Sequence, residues 1–183
     1  ITSLLIQGGP IDIFGVGERL ITSKSDPVFG AVYKIAGVEK NGVWEPRIKI
    51  SESVEKITNP GFKKVYRVYN EKGRAIADLL TLLEEVPDTT EPYRYIDPEQ
   101  PWRELYFENC TFKEMKQLII KDGKLLVELP TLDELRQYVK DQLETEIWPE
   151  EQRFENPHRH YLDMSPGYYQ MKMDLLNRIF RKK

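Results

Sequence analysis

The chain has 183 residues, a mass of 21.6 kDa and a formal net charge of −3. Its 40% hydrophobic and 11% aromatic content is enough for a packed core, which excludes a wholly disordered protein. The near balance of 27 basic and 30 acidic side chains argues against a generally basic nucleic-acid binder, and no apolar run is long enough to cross a bilayer. One cysteine, Cys110, and two histidines, His158 and His160, leave little for a disulfide or a metal centre.

The first residues have the pattern of the end of an amphipathic helix. Apolar side chains recur over 1–6, and Gly8-Gly9-Pro10 then stops the pattern, because helices do not continue through such a combination. We therefore expect the chain to begin inside a helix whose greater part is missing. The strand-like run Ile11–Phe14 follows, then the glycine turn Gly15-Val16-Gly17 and the start of a second helix.

The next part of the sequence, up to residue 130, has mainly the pattern of short antiparallel strands with close turns. Residues 86–103 hold four prolines and are expected to run over the surface as a long connection that is ordered by side-chain packing. An Asp122-Gly123 pair predicts a further hairpin, because both residue types tolerate positive φ. The individual strands are predicted over 28–38, 47–50, 64–69, 74–80, 114–120 and 125–127, with a turn at Asn41-Gly42.

Two helices are predicted at the carboxy-terminal end. Thr131 and Glu134 have the spacing of a capping box, and apolar residues recur at helical intervals after them. Ser165-Pro166 begins the last helix, with proline at the position where its missing N–H costs least. The predicted organisation is therefore an α+β chain with segments at 1–26, 27–130 and 131–183.

Charge is distributed unevenly along the chain. The net charge is −1 over 1–33, +5 over 34–74 and −7 over 75–183. Two interpretations fit the basic middle: the solvated face of a sheet, or a surface that meets an anion such as phosphate. Tyr66 and Tyr69 lie among its lysines and arginines, but cross-strand packing accounts for them better than an RNA-binding platform does.

The Gly15-Val16-Gly17 turn is the local feature that most favours ligand binding. Glycine lets backbone N–H groups approach an anion closely, and a helix start follows. By itself a Gly-x-Gly pair is weak, and a plain turn is its commoner meaning. The third glycine of a dinucleotide fingerprint and the Lys-Ser/Thr of a P-loop are both absent from this sequence.

An ordered set of motifs resembles the nicotinate phosphoribosyltransferase family. The run from Gly8 to Ser23 is similar to that family's phosphate-loop region. Further similar stretches follow in the same order: Val32-Tyr33-Lys34-Ile35, Lys49-Ile50-Ser51-Glu52, Asn59-Pro60-Gly61-Phe62-Lys63-Lys64-Val65-Tyr66-Arg67, Ala77-Asp78, Asn156-Pro157-His158 and Tyr161-Leu162-Asp163-Met164-Ser165. Together the similar stretches touch about three quarters of the chain, an ordered set more specific than any single motif.

The resemblance implies the C-terminal part of a type II phosphoribosyltransferase, with a piece of an irregular α/β barrel, a β-rich unit and two C-terminal helices. The family's reaction, in NAD biosynthesis, makes nicotinate mononucleotide from nicotinate and phosphoribosyl pyrophosphate. Mg²⁺ and ATP as co-substrate are implied for the whole enzyme, with neither held by this chain alone. The resemblance also implies a cytoplasmic homodimer, or pairing with the missing N-terminal half, with no nucleic acid or membrane as partner.

The resemblance assigns site residues to the first segment. The backbone of Gly15, Val16 and Gly17 would hold the 5′-phosphate, and Lys34 is a candidate for a phosphate or pyrophosphate contact. The alternative for Lys34 is an exposed strand lysine. Glu18 departs from the family pattern, because many relatives have threonine there and a carboxylate beside a phosphate repels it.

The resemblance implies that the residues that carry the chemistry lie outside this sequence. The family's phosphorylated histidine lies on the amino-terminal side, and neither His158 nor His160 matches its motif. We expect both histidines at a surface or interface, Cys110 as a small apolar filler, and no catalytic or metal-binding residue in this chain. The chain alone is therefore expected to be inactive. A non-catalytic β-rich anion-binding or assembly domain is the alternative.

Overall fold

The computed structural model describes residues 2–15, 17–24, 27–28, 32–52, 56–153 and 155–180. The chain folds as two compact units, Ile1–Lys34 and Ile35–Lys183. The organisation into segments 1–26, 27–130 and 131–183 stays a prediction. Within the described residues, no helix has both the length and the apolar character needed to cross a membrane.

The first unit has two short helices, α1 (Thr2–Ile6) and α2 (Glu18–Ile21). The chain leaves α1 at Gly8, whose φ is +75°, so the predicted glycine stop is confirmed. The predicted strand over Ile11–Phe14 is not formed, because residues 11–15 have no regular secondary structure. A strand needs a partner for its N–H and C=O groups, and the described part of this unit offers only helices and turns.

The second unit contains ten strands and two longer helices among its described residues. A π-helical turn, Gln142–Glu146, directly follows the first of these helices. In chain order the elements are β1 (Gly37–Lys40), β2 (Val43–Pro46), β3 (Lys63–Tyr69), β4 (Ala75–Leu82), β5 (Tyr93–Tyr95), β6 (Leu105–Phe107), β7 (Thr111–Glu114), β8 (Ile120–Lys121), β9 (Lys124–Leu125), α3 (Leu132–Asp141), β10 (Leu162–Met164) and α4 (Pro166–Phe180).

Four of the strands form the central sheet, in the order β10-β4-β3-β7. Strand β4 pairs antiparallel with β3 and parallel with β10, and β3 pairs antiparallel with β7. The other strands form two-stranded hairpins, β1 with β2, β5 with β6 and β8 with β9. Positive φ at Asn41, Gly42, Asp122 and Gly123 lets the first and last of these hairpins turn tightly. Both predicted turns are therefore confirmed.

The two faces of the central sheet pack in two different clusters of side chains. On the aromatic face, buried Tyr66, Val68, Ala77 and Leu79 pack with Phe107. On the helix face, Leu80, Met164 and Tyr168 of α4 form a second buried cluster. Side chains alternate along each strand, so Asp78 lies on the helix face and Asp163 on the aromatic face. The core thus lies on both sides of the β3–β4 pair.

Several predicted elements differ from the structure. Among the described residues of the predicted strand 28–38, strand pairing begins at Gly37, and residues 29–31 lie outside the described residues; residues 47–50 are not a strand. The connection 86–103 contains the short strand β5, which was not predicted; its Tyr93 and Tyr95 pack against the aromatic core, as expected for a connection ordered by side-chain packing. The two C-terminal helices are confirmed, although no residue of α3 is buried.

Candidate functional site

The predicted phosphate loop leaves its described backbone donors available. Gly15 and Gly17 are both exposed, and the N–H of neither donates a hydrogen bond to another described residue. Gly17 precedes α2 in an extended conformation, with φ −92° and ψ −161°. Val16 lies outside the described residues. The loop therefore presents N–H groups that can donate hydrogen bonds to an anion.

Neither backbone conformation nor packing accounts for glycine at these two positions. No heavy atom that the structure describes lies within 4 Å of a Cβ built on Gly15 or Gly17, apart from the chain neighbours. Neither residue has the positive φ that favours glycine. Because alanine would fit both positions in the unliganded chain, close approach of a ligand is a sufficient reason for their small size.

Lys34 is exposed at the end of the first unit. It lies in the same unit as Gly15 and Gly17, and its contact with a phosphate stays a prediction. Glu18 is the first residue of α2 and is exposed to solvent.

A second arrangement of charged groups, which the sequence did not predict, lies on the helix face of the central sheet. Arg67 and Asp78 stand opposite each other on β3 and β4, and the guanidinium donates two hydrogen bonds of 2.9 and 3.1 Å to the carboxylate. His160 lies between two carboxylates. Its Nδ1 is 2.9 Å from Glu151 Oε1, and its Nε2 is 3.5 Å from Asp78 Oδ1 without good hydrogen-bond geometry.

The charges in this cluster stabilise one another. Burial by itself would raise the pKa of Asp78, but His160 and Arg67 outweigh it and lower the pKa to about 2. The contact with Asp78 is the largest influence on His160 and raises its pKa; burial opposes the rise and Glu151 adds to it. His160 therefore favours the imidazolium form, in which both ring nitrogens can donate to carboxylates.

Polar contacts also hold the segment after α3 against the sheet. Tyr69 donates a 2.7 Å hydrogen bond to Glu146, and the Trp148 indole donates one of 2.6 Å to the carbonyl of Ala75. Arg74 reaches the carbonyl of Ile147 at 2.9 Å. Burial, together with the bond to Glu146, raises the pKa of Tyr69. These contacts fix the backbone that leads to His160, so the cluster has a structural role.

The structure narrows one expectation about single residues and confirms two others. His160 is partly buried in the ionic cluster, so it does not lie on the open surface, and its predicted place at an interface stays a prediction; His158 is exposed. Cys110 packs against the aromatic core, as predicted for a small apolar filler. Tyr66 and Tyr69 are 6% and 8% exposed, so packing accounts for them and neither can stack on a nucleotide base.

A resident metal does not fit the described side chains. They bring together no group of three or more His, Cys, Asp or Glu residues that could hold an ion.

Comparison with solved structures identifies the class of fold. The chain is similar to a crystal structure of human nicotinic acid phosphoribosyltransferase, with a TM-score of 0.59 and 24% identity over 64% of this chain and 23% of that chain. This likeness confirms the predicted α+β fold.

Comparison of sequences then identifies the family. The family model described as the nicotinate phosphoribosyltransferase C-terminal domain matches residues 62–172, and the chain belongs to this family. It is 33% identical to a nicotinate phosphoribosyltransferase of Bacillus subtilis (strain 168) over 98% of this chain, and 34% identical to one of Caenorhabditis elegans over 93%. The chain spans 36% and 30% of the lengths of these two relatives.

Proposed function

We propose that this chain is the C-terminal part of an enzyme that makes nicotinate mononucleotide from nicotinate and phosphoribosyl pyrophosphate. Membership of the C-terminal domain family supports this proposal, as do relatives aligned over nearly the whole chain. In this proposal Mg²⁺ and ATP serve the whole enzyme, a glycosyltransferase with ligase-type ATP coupling that acts in the cytoplasm. The chain contributes substrate positioning and no catalytic side chain.

The observation that carries the proposal is the open loop at Gly15 and Gly17. Two exposed N–H groups without acceptors among the described residues lie on either side of Val16, at glycines that packing does not require. Backbone donors of this kind suit the oxygen atoms of a 5′-phosphate. Holding that phosphate fixes the ribose without contacting the bond that breaks, so the loop acts by positioning.

Lys34 completes the proposed phosphate site as a cationic contact to phosphate or pyrophosphate. We further propose that the site functions in a homodimer or against the N-terminal half of the enzyme. The lack of regular secondary structure at residues 11–15 supports this part of the proposal. The Ile11 N–H donates to the Gly9 carbonyl, and a barrel would supply partners for the backbone groups of the residues that follow.

A chimera tests the proposal directly. This chain replaces the matching C-terminal segment of the Bacillus subtilis relative, and formation of nicotinate mononucleotide is measured with nicotinate, phosphoribosyl pyrophosphate, ATP and Mg²⁺. We expect activity in the chimera and none in the 183-residue chain alone. Gly15→Ala with Gly17→Ala should raise the KM for phosphoribosyl pyrophosphate at least about tenfold and leave the KM for nicotinate unchanged.

Amide shifts during a phosphate titration give an independent test on the chain as it stands. Shifts centred on Gly15 and Gly17 support the proposed site. Shifts spread over residues 34–74 favour the alternative, a general anion-binding surface, and would contradict the proposal. The matched control for the Gly15→Ala, Gly17→Ala variant is Gly37→Ala: Gly37 lies in β1, has no positive φ, and a Cβ there would meet its nearest neighbours only at 3.6 Å, so this change should not affect phosphate binding.

A further inference from the structure

A cavity of about 570 Å³ opens on the aromatic face of the second unit, within the size range of small-molecule sites. Strands β4, β6 and β10 supply part of its wall, and the β5–β6 connection supplies much of the rest. The stacked rings of Tyr95 and Phe107, with centroids 3.9 Å apart, lie in this lining. No part of the proposed phosphate site lines this cavity.

Asp163 is the most unusual residue of the lining. It lies on β10 beside Leu79, is 4% exposed, and belongs to the wall of the cavity. Among the described residues, none donates a hydrogen bond to its carboxylate or forms an ion pair with it. Burying a carboxylate without such partners is costly, so proteins normally supply a donor or a counter-charge.

A second carboxylate lies opposite Asp163 and increases that cost. Ile96 and Met164 exchange backbone hydrogen bonds of 2.8 and 3.0 Å in an antiparallel bridge. One residue further along the same register, Asp97 faces Asp163, and both line the cavity. Like charges in directly opposite positions destabilise a β ladder. Burial, and then the charge of Asp97, raise the pKa of Asp163 to about 7, although the nearby His160 acts in the opposite direction.

The remaining lining makes the cavity suitable for an organic cation. Glu108 adds a third carboxylate, and Arg103 is the one cationic side chain in the described wall. The wall also carries aromatic rings, whose faces attract cations, especially away from water. A bare metal ion would use the carboxylates without the rings, and no described cluster has three or more His, Cys, Asp or Glu ligands for one.

We propose that this cavity binds a small organic cation whose N–H groups donate to Asp163 and Asp97 and whose flat apolar body packs against the aromatic wall. An amidinium or a primary ammonium group on such a body has the required chemistry. Asp97 Oδ1 already accepts a 2.8 Å hydrogen bond from the Glu99 N–H, so the ligand would supply chiefly the donor that Asp163 lacks and a positive charge between the two carboxylates. The proposed ligand takes no part in the reaction proposed for the whole enzyme.

Benzamidine is the test ligand, because its planar amidinium can donate two hydrogen bonds to one carboxylate. It is titrated into the 183-residue chain while backbone amide shifts are followed. We expect saturable shifts confined to residues 95–97, 105–108 and 161–163. Asp163→Asn, which keeps the size of the side chain and removes its charge, should weaken binding at least about tenfold. Neutral benzamide should bind to the unaltered chain at least about tenfold more weakly than benzamidine.

Three results would overturn the proposal. The first is an absence of shifts in the cavity residues at about 10 mM benzamidine, a concentration that saturates even weak sites. The second is equal affinity in Asp163→Asn and in the unaltered chain. The third is Mg²⁺ producing the same shifts at lower concentration than benzamidine. Asp133→Asn, at the exposed start of α3, is the matched control and should bind benzamidine as the unaltered chain does. If Asp163→Asn fails to fold, benzamide against benzamidine still decides the question.

Discussion

The two faces of the central sheet treat a carboxylate in opposite ways. Asp78, on the helix face, accepts two hydrogen bonds from Arg67 and has a pKa of about 2. Asp163, on the adjacent strand and the aromatic face, has no such donor among the described residues and has a pKa of about 7. Both are largely buried, so burial alone does not set their charge. The comparison shows that the partners supplied by neighbouring strands decide whether a buried carboxylate stabilises or destabilises the fold.

Removing the carboxylate of Asp78, which is paired with Arg67, should have the largest effect on the free energy of unfolding. We expect Asp78→Ala to lower the free energy of unfolding by about 3 kcal/mol, because Arg67 would remain largely buried without its counter-charge. Chemical denaturation at pH 7 measures this loss. Asp88→Asn, on an exposed loop, is the control and should leave the midpoint unchanged. A loss below about 0.5 kcal/mol would mean that the Arg67–Asp78 pair gives no net stabilisation.

Neutralising Asp163, the carboxylate without a partner, should instead raise the free energy of unfolding. The folded-state pKa of Asp163 is raised, so its ionisation destabilises the fold increasingly as pH rises from about 4 towards 7. We expect the free energy of unfolding of Asp163→Asn to exceed that of the unaltered chain by about 2 kcal/mol at pH 8. The difference should fall by more than half at pH 5. Urea denaturation at both pH values checks the prediction. A variant less stable than the unaltered chain at pH 8 would show that Asp163 has a partner in solution.

Replacing His160 tests the contribution of the base that lies beside Asp78. Its pKa is raised in the folded state, so its contribution is present in full below about pH 6.5 and is lost as pH rises through the folded value. We expect His160→Ala to cost about 1 kcal/mol at pH 6 and less at pH 8. NMR titration of the imidazole should also show its midpoint falling in Asp78→Asn. If the midpoint of His160 does not move, His160 does not interact with Asp78 in solution. The resonance of exposed His158 is the control and should be unaffected.

The smallest effect is expected at α3. Thr131 and Glu134 form a reciprocal capping box, yet none of the residues of this helix is buried. Thr131→Ala should therefore increase hydrogen exchange over 132–138 while leaving the denaturation midpoint of the sheet unchanged. Ser165→Ala is the contrast, because Ser165 is buried and its hydroxyl accepts from the Tyr168 N–H. A global loss of stability in Thr131→Ala would show that α3 packs on the core in solution.

Features set by neighbouring residues were predictable from the sequence. The capping box at Thr131, the serine and proline before α4 and the tight turn at Asn41-Gly42 each depend on a few adjacent side chains. The strand over Ile11–Phe14 was predicted wrongly, because its composition suits a strand but a strand also needs a partner.

The unpredicted features depend on contacts between residues far apart in sequence. Strand β10 has only three residues, and its pairing with β4 joins positions more than 80 apart. The pairing of Arg67 with Asp78 and the cavity around Asp163 follow from strand register, which composition does not specify. A signal was available for one of them: an aspartate within a short apolar run, Leu162-Asp163-Met164, is a candidate for a buried charge. The phosphate-binding roles of Gly15, Val16, Gly17 and Lys34 stay predictions.

The parallel pairing of β10 with β4 also bears on how the domain is completed during synthesis. Strands β3 and β4 can form their hairpin as soon as they leave the ribosome, but the other edge of β4 remains open until residue 164 has emerged. Closing so long a loop is slow compared with forming a hairpin. Until then Leu79 and Leu80 lack their neighbours on β10. The nascent chain therefore has an unpaired strand edge that other chains can contact, and a chaperone would have to shield it.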